Sequence, residues 1–269
     1  AIAHWLVMVG FLLGAMVWFE AYIQIFDPEG GWPIIGGWGL YHFVDELLGL
    51  GTVIGIITLI IIRQKIGDKD KKARFYGSNS GAAYFVEAVV LIEGLGMIFV
   101  KASKIATFAS YEGGHAATDF FTMQLAKILP ESPLLVSIFA LIKLLSGMIW
   151  LFIVGQNVKW GVAWHRFMAF FNIFLKRNAD GRNALGAAKP LTSGGRMLTM
   201  ENADPEEDAI GVGKIDDFTW KGWMDFTSCT ECGRCQEQCP AWNTAKPLSP
   251  KLLITSLRDH AIESAPYLK

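Results

Sequence analysis

Four stretches of the chain are apolar enough and long enough to cross a bilayer, which takes about 20 residues of helix. Residues 4–26 carry one charge, Glu20. Residues 39–62 finish in an uncharged run from Leu47 to Ile62, residues 80–100 hold Glu87 and Glu93, and residues 134–158 hold Lys143. The loops set the direction of the spans. Residues 63–75 contain six basic and two acidic side chains, which predicts a cytoplasmic loop. The first span then starts inside and the fourth ends inside. Trp32 and Trp38 fit the outer interface, Trp160 and Trp164 the inner one. The outer loop, 101–133, is expected to carry a surface helix at 119–129, followed by Pro130 and Pro133. From Leu134 to Lys176 no strong helix breaker occurs. A continuous helix there would measure about 65 Å, about twice the membrane core. The pattern therefore predicts either an overshoot past the inner surface or a bend into an interfacial helix at 160–175.

Past Lys176 the pattern changes. Residues 178–217 are rich in Gly, Ala, Asn and Asp and include the acidic run Asp204, Glu206, Glu207 and Asp208, which reads as a solvated linker. The expected architecture is an all-α membrane protein: a transmembrane helix bundle with four visible spans over 1–177, a linker over 178–217, and a cytoplasmic helical ferredoxin-like unit over 218–269. Composition agrees. The 269 residues are 52% hydrophobic and 18% charged, with a mean hydropathy of +0.34, too apolar for an ordinary soluble domain. The 24 basic and 25 acidic side chains leave no electrostatic footprint for nucleic acid. Because the apolar run starts at Ala1 with neither an initiator Met nor a polar leader, upstream sequence is expected to be missing.

All four cysteines fall in one run, Cys229-Thr-Glu-Cys232-Gly-Arg-Cys235-Gln-Glu-Gln-Cys239-Pro240. The C-x2-C-x2-C-x3-C-P spacing is that of bacterial ferredoxins. A cubane needs thiolates on several of its faces, and loops of two intervening residues wrap three sulfurs round one cluster. Gly233 permits close backbone approach. Zinc is the competing ligand, since four thiolates also suit it, although zinc sites usually show two separated pairs. In two-cluster ferredoxins the fourth cysteine of such a run ligates the other cluster, and partners for Cys239 are not visible here. Either all four bind one [4Fe-4S] cluster, or a second run follows in a longer protein that holds two.

Topology decides which histidines can share a ligand. His4 opens the first span and His165 follows the last, both on the inner side, so the pair is a candidate for clamping one haem b. Arg166 is a candidate partner for a haem propionate. His42 opens the second span at the outer face, about 30 Å from His4. His115 and His260 read as solvated. Charges inside spans should face the bundle and pair. Glu93 and Lys143 lie at similar depth and form a candidate ion pair, while Glu20, His42, Asp45 and Glu46 gather toward the outer side. Glu93, Lys143, His42, Asp45 and Glu20 are the candidates for proton and quinone chemistry.

Taken together, these residues resemble known proteins. His at the inner edge of the first span, with Trp164-His165-Arg166 and Leu175-Lys176-Arg177 after the last, is similar to the nitrate reductase gamma-subunit type of cytochrome b domain. Asp217-Phe218-Thr219-Trp220 through Leu253, carrying the cysteine run, resembles heterodisulfide-reductase-like iron–sulfur proteins. Their fusion resembles membrane iron–sulfur oxidoreductases that pass electrons from electron-transfer flavoprotein to menaquinone. The resemblance implies haem ligation by His4 and His165, iron ligation by the four cysteines, a flavoprotein donor on the cytoplasmic side, and location in a bacterial plasma membrane. It also implies a second pair of haem histidines about three and five turns along those helices, where this chain has Gly14 and Gly147; one haem b is therefore expected. Two other readings stay open: an electron-transfer subunit of a heterodisulfide-reductase-like or sulfite-reduction complex, and a non-redox membrane anchor with a structural zinc knot.

Overall fold

A computed structural model describes residues 1–70, 73–175, 190–208 and 210–268. Lys71 and Lys72 of the basic loop, Lys176 and Arg177 of the resemblance, and 178–189 of the expected linker lie outside the described residues. The chain divides into two units: Ala1–Gly67 with Ser80–Gln156, and Asp68–Asn79 with Asn157–Lys269.

The first unit is built from α1 (Ile2–Phe26), α2 (Gly39–Ile66), α3 (Ser80–Thr107), the short α4 (Thr122–Ala126) and α5 (Pro133–Gln156). The four long helices are long and apolar enough to span a membrane. Their ends follow local chemistry. Asp27 leaves helical geometry with Pro28 behind it. Gly67 ends α2 at φ 70°, a value that costs glycine nothing. Pro133 starts α5, where its missing N–H would be unpaired anyway. α1 packs on α2 and α5, and α3 packs on the same two, which closes a four-helix ring. Its apolar centre holds Ala21, Val100, Val136, Ala140 and Leu144 at one level and Val17, Leu48 and Met97 at another. Leu12, Leu13, Phe19, Ile54 and Phe152 point outward and are exposed, whereas Glu20, His42, Asp45, Glu46, Glu87, Lys101 and Lys143 are buried. Charge inside and hydrocarbon outside is the distribution expected when the surrounding solvent is lipid.

In the second unit, α6 (Gly161–Phe174) packs on α7 (Trp220–Thr227), which also meets α10 (Pro250–Ser264). Short helices α8 (Arg234–Glu237) and α9 (Pro240–Asn243) lie between α7 and α10 in the chain. The core is Ile215, Phe226 and Ala261, flanked by Phe218, Trp223, Ile254 and Leu257. Thr219 caps α7 by accepting from the Gly222 amide, and Ser249 caps α10 by accepting from the Leu252 amide, with Pro250 in the first turn. Inside the expected linker, β1 (Thr192–Ser193) pairs antiparallel with β2 (Arg196–Met197).

The structure refines three expectations. The long apolar run ending at Lys176 does not continue as one helix: α5 stops at Gln156 and α6 starts at Gly161, the bent alternative. The surface helix expected at 119–129 is confined to Thr122–Ala126. Glu93 and Lys143, expected to pair, are not within ion-pair distance among the described residues. Each finds a nearer neutral partner, as described below.

Candidate functional site

The cysteine run folds as one tight turn between α7 and α9. The Cys229 amide donates to the Phe226 carbonyl at the end of α7. Glu231 and Gly233 adopt left-handed φ values of 58° and 70°, which fold the chain back on itself between successive cysteines. Cys235 lies in α8, and Cys239 precedes Pro240 at the start of α9. Cys229, Cys232 and Cys239 are half-buried and Cys235 is exposed. Burial pushes the Cys229 thiol up.

A wall of this turn comes from far away in the chain. Residues 73–79, the second half of the basic loop between α2 and α3, lie against it. Arg74 Nε donates to the Cys232 carbonyl at 2.5 Å, and Gln236 Nε2 donates to the Ala73 carbonyl at 3.1 Å. Ser78 Oγ donates to the Glu231 carbonyl at 2.9 Å, and the Asn79 amide donates to Glu231 Oε2 at 2.8 Å. A Cβ on Gly233 would land on the Arg74 carbonyl, so the close approach expected at this glycine is to the strap 73–79. Arg258 Nη1 on α10 donates to Glu231 Oε1 at 2.8 Å. Lys251, also on α10, donates to the carbonyls of Arg74 and Tyr76 and to Ser78 Oγ.

Among the described residues no three His, Cys, Asp or Glu side chains converge as a shell for a single ion. An iron–sulfur cluster spreads its thiolates farther apart than one ion does. The chemistry of the donor set suits such a group: four free thiols fall in one run of the chain, Cys229 to Cys239.

A second polar cluster sits inside the four-helix unit, at the end holding the last turns of α1 and α3. Lys101 Nζ forms an ion pair with Asp119 Oδ1 at 2.7 Å and donates to Glu46 Oε2 at 3.1 Å and to the His42 carbonyl at 2.6 Å. Glu46 accepts in addition from Thr122 Oγ1 and from the amides of Phe121 and Thr122. It thus serves as an anchor for α4. Glu20 accepts from Tyr41 OH at 2.7 Å and from the Trp32 amide at 3.1 Å. Tyr111 OH meets His42 Nδ1 at 3.3 Å, and burial pushes the Tyr111 phenol well up. A phenol held neutral can donate to Nδ1, and in that arrangement the imidazole proton sits on Nε2. Nε2 and the nearby Asp45 Oδ1 are buried without a hydrogen-bond partner among the described residues.

The remaining candidates are placed as follows. Lys143 Nζ donates to the Val17 carbonyl at 2.6 Å, and Glu93 Oε1 accepts from Ser146 Oγ at 2.6 Å. Glu87 accepts from Arg63 Nε at 2.7 Å, which puts it on a different face of α3 from Glu93. His4 stands in the first turn of α1; His165 and Arg166 stand on α6. Gly147 lies against Trp18 and Glu93, and Gly14 against Met97. Sequence reasoning passed over Lys101, Asp119, Tyr111, Glu231, Lys251 and Arg258. The two lysines carry a signal: Lys101 continues an apolar span, and Lys251 sits in the first turn of a helix, where positive charge is unfavourable. The others acquire meaning only through partners distant in the chain.

No protein-family model matches the chain, and no solved structure matches it. Among curated proteins it is similar to the EtfAB:quinone oxidoreductase of Syntrophomonas wolfei, 26% identical over 276 residues that cover 98% of this chain and 35% of that protein. It is 35% identical over 116 residues to the "Probable iron-sulfur-binding oxidoreductase FadF" of Bacillus subtilis, covering 40% of this chain and 16% of that protein. A "Probable membrane-anchored ferredoxin" of Chromohalobacter salexigens is 35% identical over 96 residues, covering 36% of this chain and 12% of that protein. The chain therefore spans about a third or less of the length of these relatives. The resemblance to membrane iron–sulfur oxidoreductases holds at the level of aligned sequence as well as of motifs.

Proposed function

We propose that this chain belongs to a membrane oxidoreductase that carries electrons from a cytoplasmic flavoprotein, of the electron-transfer flavoprotein kind, to menaquinone. The observation that carries the reading is the cysteine turn, folded as one thiol-rich loop and present in the same chain as a four-helix unit with a polar, partly unsatisfied interior. The names of the aligned relatives support it, one as a quinone oxidoreductase and two as an iron–sulfur protein and a ferredoxin.

When bound, a [4Fe-4S] cluster and a haem b supply one-electron carriage. Cys229, Cys232 and Cys235 are the thiolates that would hold a cluster, with Cys239 ligating either that cluster or a second one in a longer protein. His4 and His165 are the haem ligands that the resemblance offers, with Arg166 for a propionate. The iron–sulfur unit belongs on the cytoplasmic side of a bacterial plasma membrane, a reading supported by the excess of basic residues in the loop 63–75.

Quinone reduction consumes protons, so its site needs groups that donate hydrogen bonds and are not already committed. Glu46, Glu20, Lys143 and Glu93 are each engaged by a neighbour. His42 Nε2 is buried and uncommitted among the described residues, and Asp45, three residues along the same helix and close in direction, faces Lys101 with Oδ2 at 3.9 Å and leaves Oδ1 as a buried open acceptor. We place the quinone headgroup there, with His42 as its hydrogen-bond donor.

Anaerobic purification with metal analysis and an optical spectrum tests the cofactors. The expected result is about four iron or more per chain with a b-type haem band; zinc without haem would turn the assignment to a membrane anchor. A menaquinone-reduction assay with reduced electron-transfer flavoprotein tests the partners, and a rate at background would move the protein to another respiratory complex.

A further inference from the structure

Lys251 is fully buried, with a relative exposure of 0%. Its ammonium reaches three acceptors, namely the Arg74 carbonyl at 3.3 Å, the Tyr76 carbonyl, and Ser78 Oγ at 2.9 Å. The Ser78 hydroxyl spends its own hydrogen on the Glu231 carbonyl, so toward Lys251 it can only accept. Three acceptors use three N–H bonds, and a lysine has three only when it is charged.

That charge is unusual in its surroundings. All three acceptors are neutral. Glu231, the carboxylate that acts most on Lys251, makes no ion pair with it among the described residues and is held by Arg258 at 2.8 Å and by the Asn79 amide at 2.8 Å. Through Ser78, which donates to the Glu231 carbonyl, and through Arg74, which donates to the Cys232 carbonyl, Lys251 is tied directly to the cysteine turn, and after Glu231 the charges that act on it are the thiols Cys229, Cys235 and Cys232. A buried cation without a carboxylate partner is costly. Its cost is offset where negative charge collects next to it, and thiolates on an iron–sulfur cluster are such a place.

We propose that Lys251 is the buried counter-cation of the Cys229–Cys232–Cys235 turn and raises the midpoint potential of the cluster held there. This rests on the reading of the turn as a cluster site. Reduction adds one electron, and hence one unit of negative charge, to the cluster without any proton or leaving group. A fixed positive charge in a region of low dielectric stabilises the reduced form more than the oxidised form. The same ammonium ties the strap 73–79 to α10, so it also holds the wall of the turn.

The experiment uses the full chain, reconstituted anaerobically with iron and sulfide, and two variants: Lys251→Met, which keeps the stem and loses the charge, and Lys251→Arg, which keeps the charge. Iron content is measured first, then the midpoint potential by EPR-monitored titration with dithionite. In Lys251→Met the reduced-to-oxidised ratio at the wild-type midpoint is expected to fall about tenfold, a displacement of about 59 mV for one electron. Lys251→Arg is expected to stay near wild type. Loss of iron in the Met variant with retention in the Arg variant also supports the proposal, since only charge separates the two. A Met variant that keeps its iron at the wild-type midpoint overturns it, and so does loss of iron in both variants, which would assign Lys251 to packing. Failure of the wild-type chain to take up a cluster at all is a different result: it removes the reading of the turn itself.

Discussion

Arg258 and Glu231 meet at 2.8 Å with relative side-chain exposures of 5% and 7%, inside the unit that carries the cysteines. Glu231 is the residue between two cysteines that adopts a left-handed backbone, φ 58°, a conformation costly for a side chain with a Cβ. Its carboxylate also accepts from the Asn79 amide. The ion pair therefore fixes the turn that positions Cys229 and Cys232, from a helix lying beyond the cysteines in the chain.

Removing Arg258 would leave Glu231 charged and buried. Arg258→Met is expected to destabilise the protein by about 3–5 kcal/mol and to lower iron retention after desalting. The double variant Arg258→Met/Glu231→Gln should recover part of the loss. Thermal unfolding of all four members of the cycle measures this, and a double-variant loss equal to the sum of the two single losses would show that the pair does not couple.

Lys101 plays the same part inside the four-helix unit. Its ammonium joins Glu46, on α2, to Asp119, in the loop before α4. Lys101→Met strands both carboxylates and is expected to cost about 3–5 kcal/mol, read as a lowered unfolding temperature in detergent. An unchanged unfolding temperature would mean that the carboxylates are protonated or hydrated in solution.

Asp119 gives this unit a pH dependence of defined sign. Burial opposes its ionisation, but hydrogen bonds from Lys101 and Thr118 outweigh burial and hold its carboxyl below the usual range. A carboxyl lowered in the folded state contributes stability above its unfolded value, about pH 3.9, and loses that contribution as pH falls through the folded value. Acid unfolding should therefore show a limb below about pH 4 that is reduced in Asp119→Asn. An identical limb in that variant would assign it to other carboxyls.

His42, where we propose the quinone binds, and Glu46, the anchor of α4, stand on one helix and can be tested separately. His42→Gln is expected to lower menaquinone reduction by about 10²-fold or more while the cluster and haem spectra remain. Glu46→Gln is expected to lower stability, because it weakens the anchor of α4. A His42 variant with wild-type turnover would move the quinone site elsewhere in the bundle.

Two glycines provide a paired control. Gly233 has φ 70°, and a Cβ there meets the Arg74 carbonyl, so Gly233→Ala should cost about 1–3 kcal/mol from backbone strain alone and loosen the strap. Gly155, in α5, has open space around its absent Cβ. Gly155→Ala should leave stability unchanged or raise it by about 0.5–1 kcal/mol. Comparative unfolding of the two variants checks the contrast; a reversed order would mean that the strap does not press on the cysteine turn.

Much of this protein could be read from one dimension. Runs of apolar side chains predict α1, α2, α3 and α5, since a helix that spans lipid needs length and hydrocarbon whatever its neighbours do. The cysteine run announces thiolate chemistry, because wrapping a small cluster demands close spacing along the chain. Burial of Lys143 was also expected, from the cost of facing a charge to lipid, and it is buried; Glu20, His42 and Asp45 were expected only to gather toward the outer side. Which of these groups is satisfied and which is left with an open valence was not legible. Glu93 and Lys143 share a depth, but depth says nothing of azimuth, and the side chains found Ser146 and the Val17 carbonyl instead.

The order of residues thus determined where helices run and where sulfur collects. Only the tertiary structure brought Lys101 to Asp119 and Lys251 to the carbonyls of Arg74 and Tyr76, 177 and 175 residues away. The reason is physical. Hydrophobicity and loop spacing act through the chain and leave a local imprint, whereas a buried charge is satisfied by whatever acceptor folding places within about 3 Å of it, and that neighbour need share no pattern with it at all.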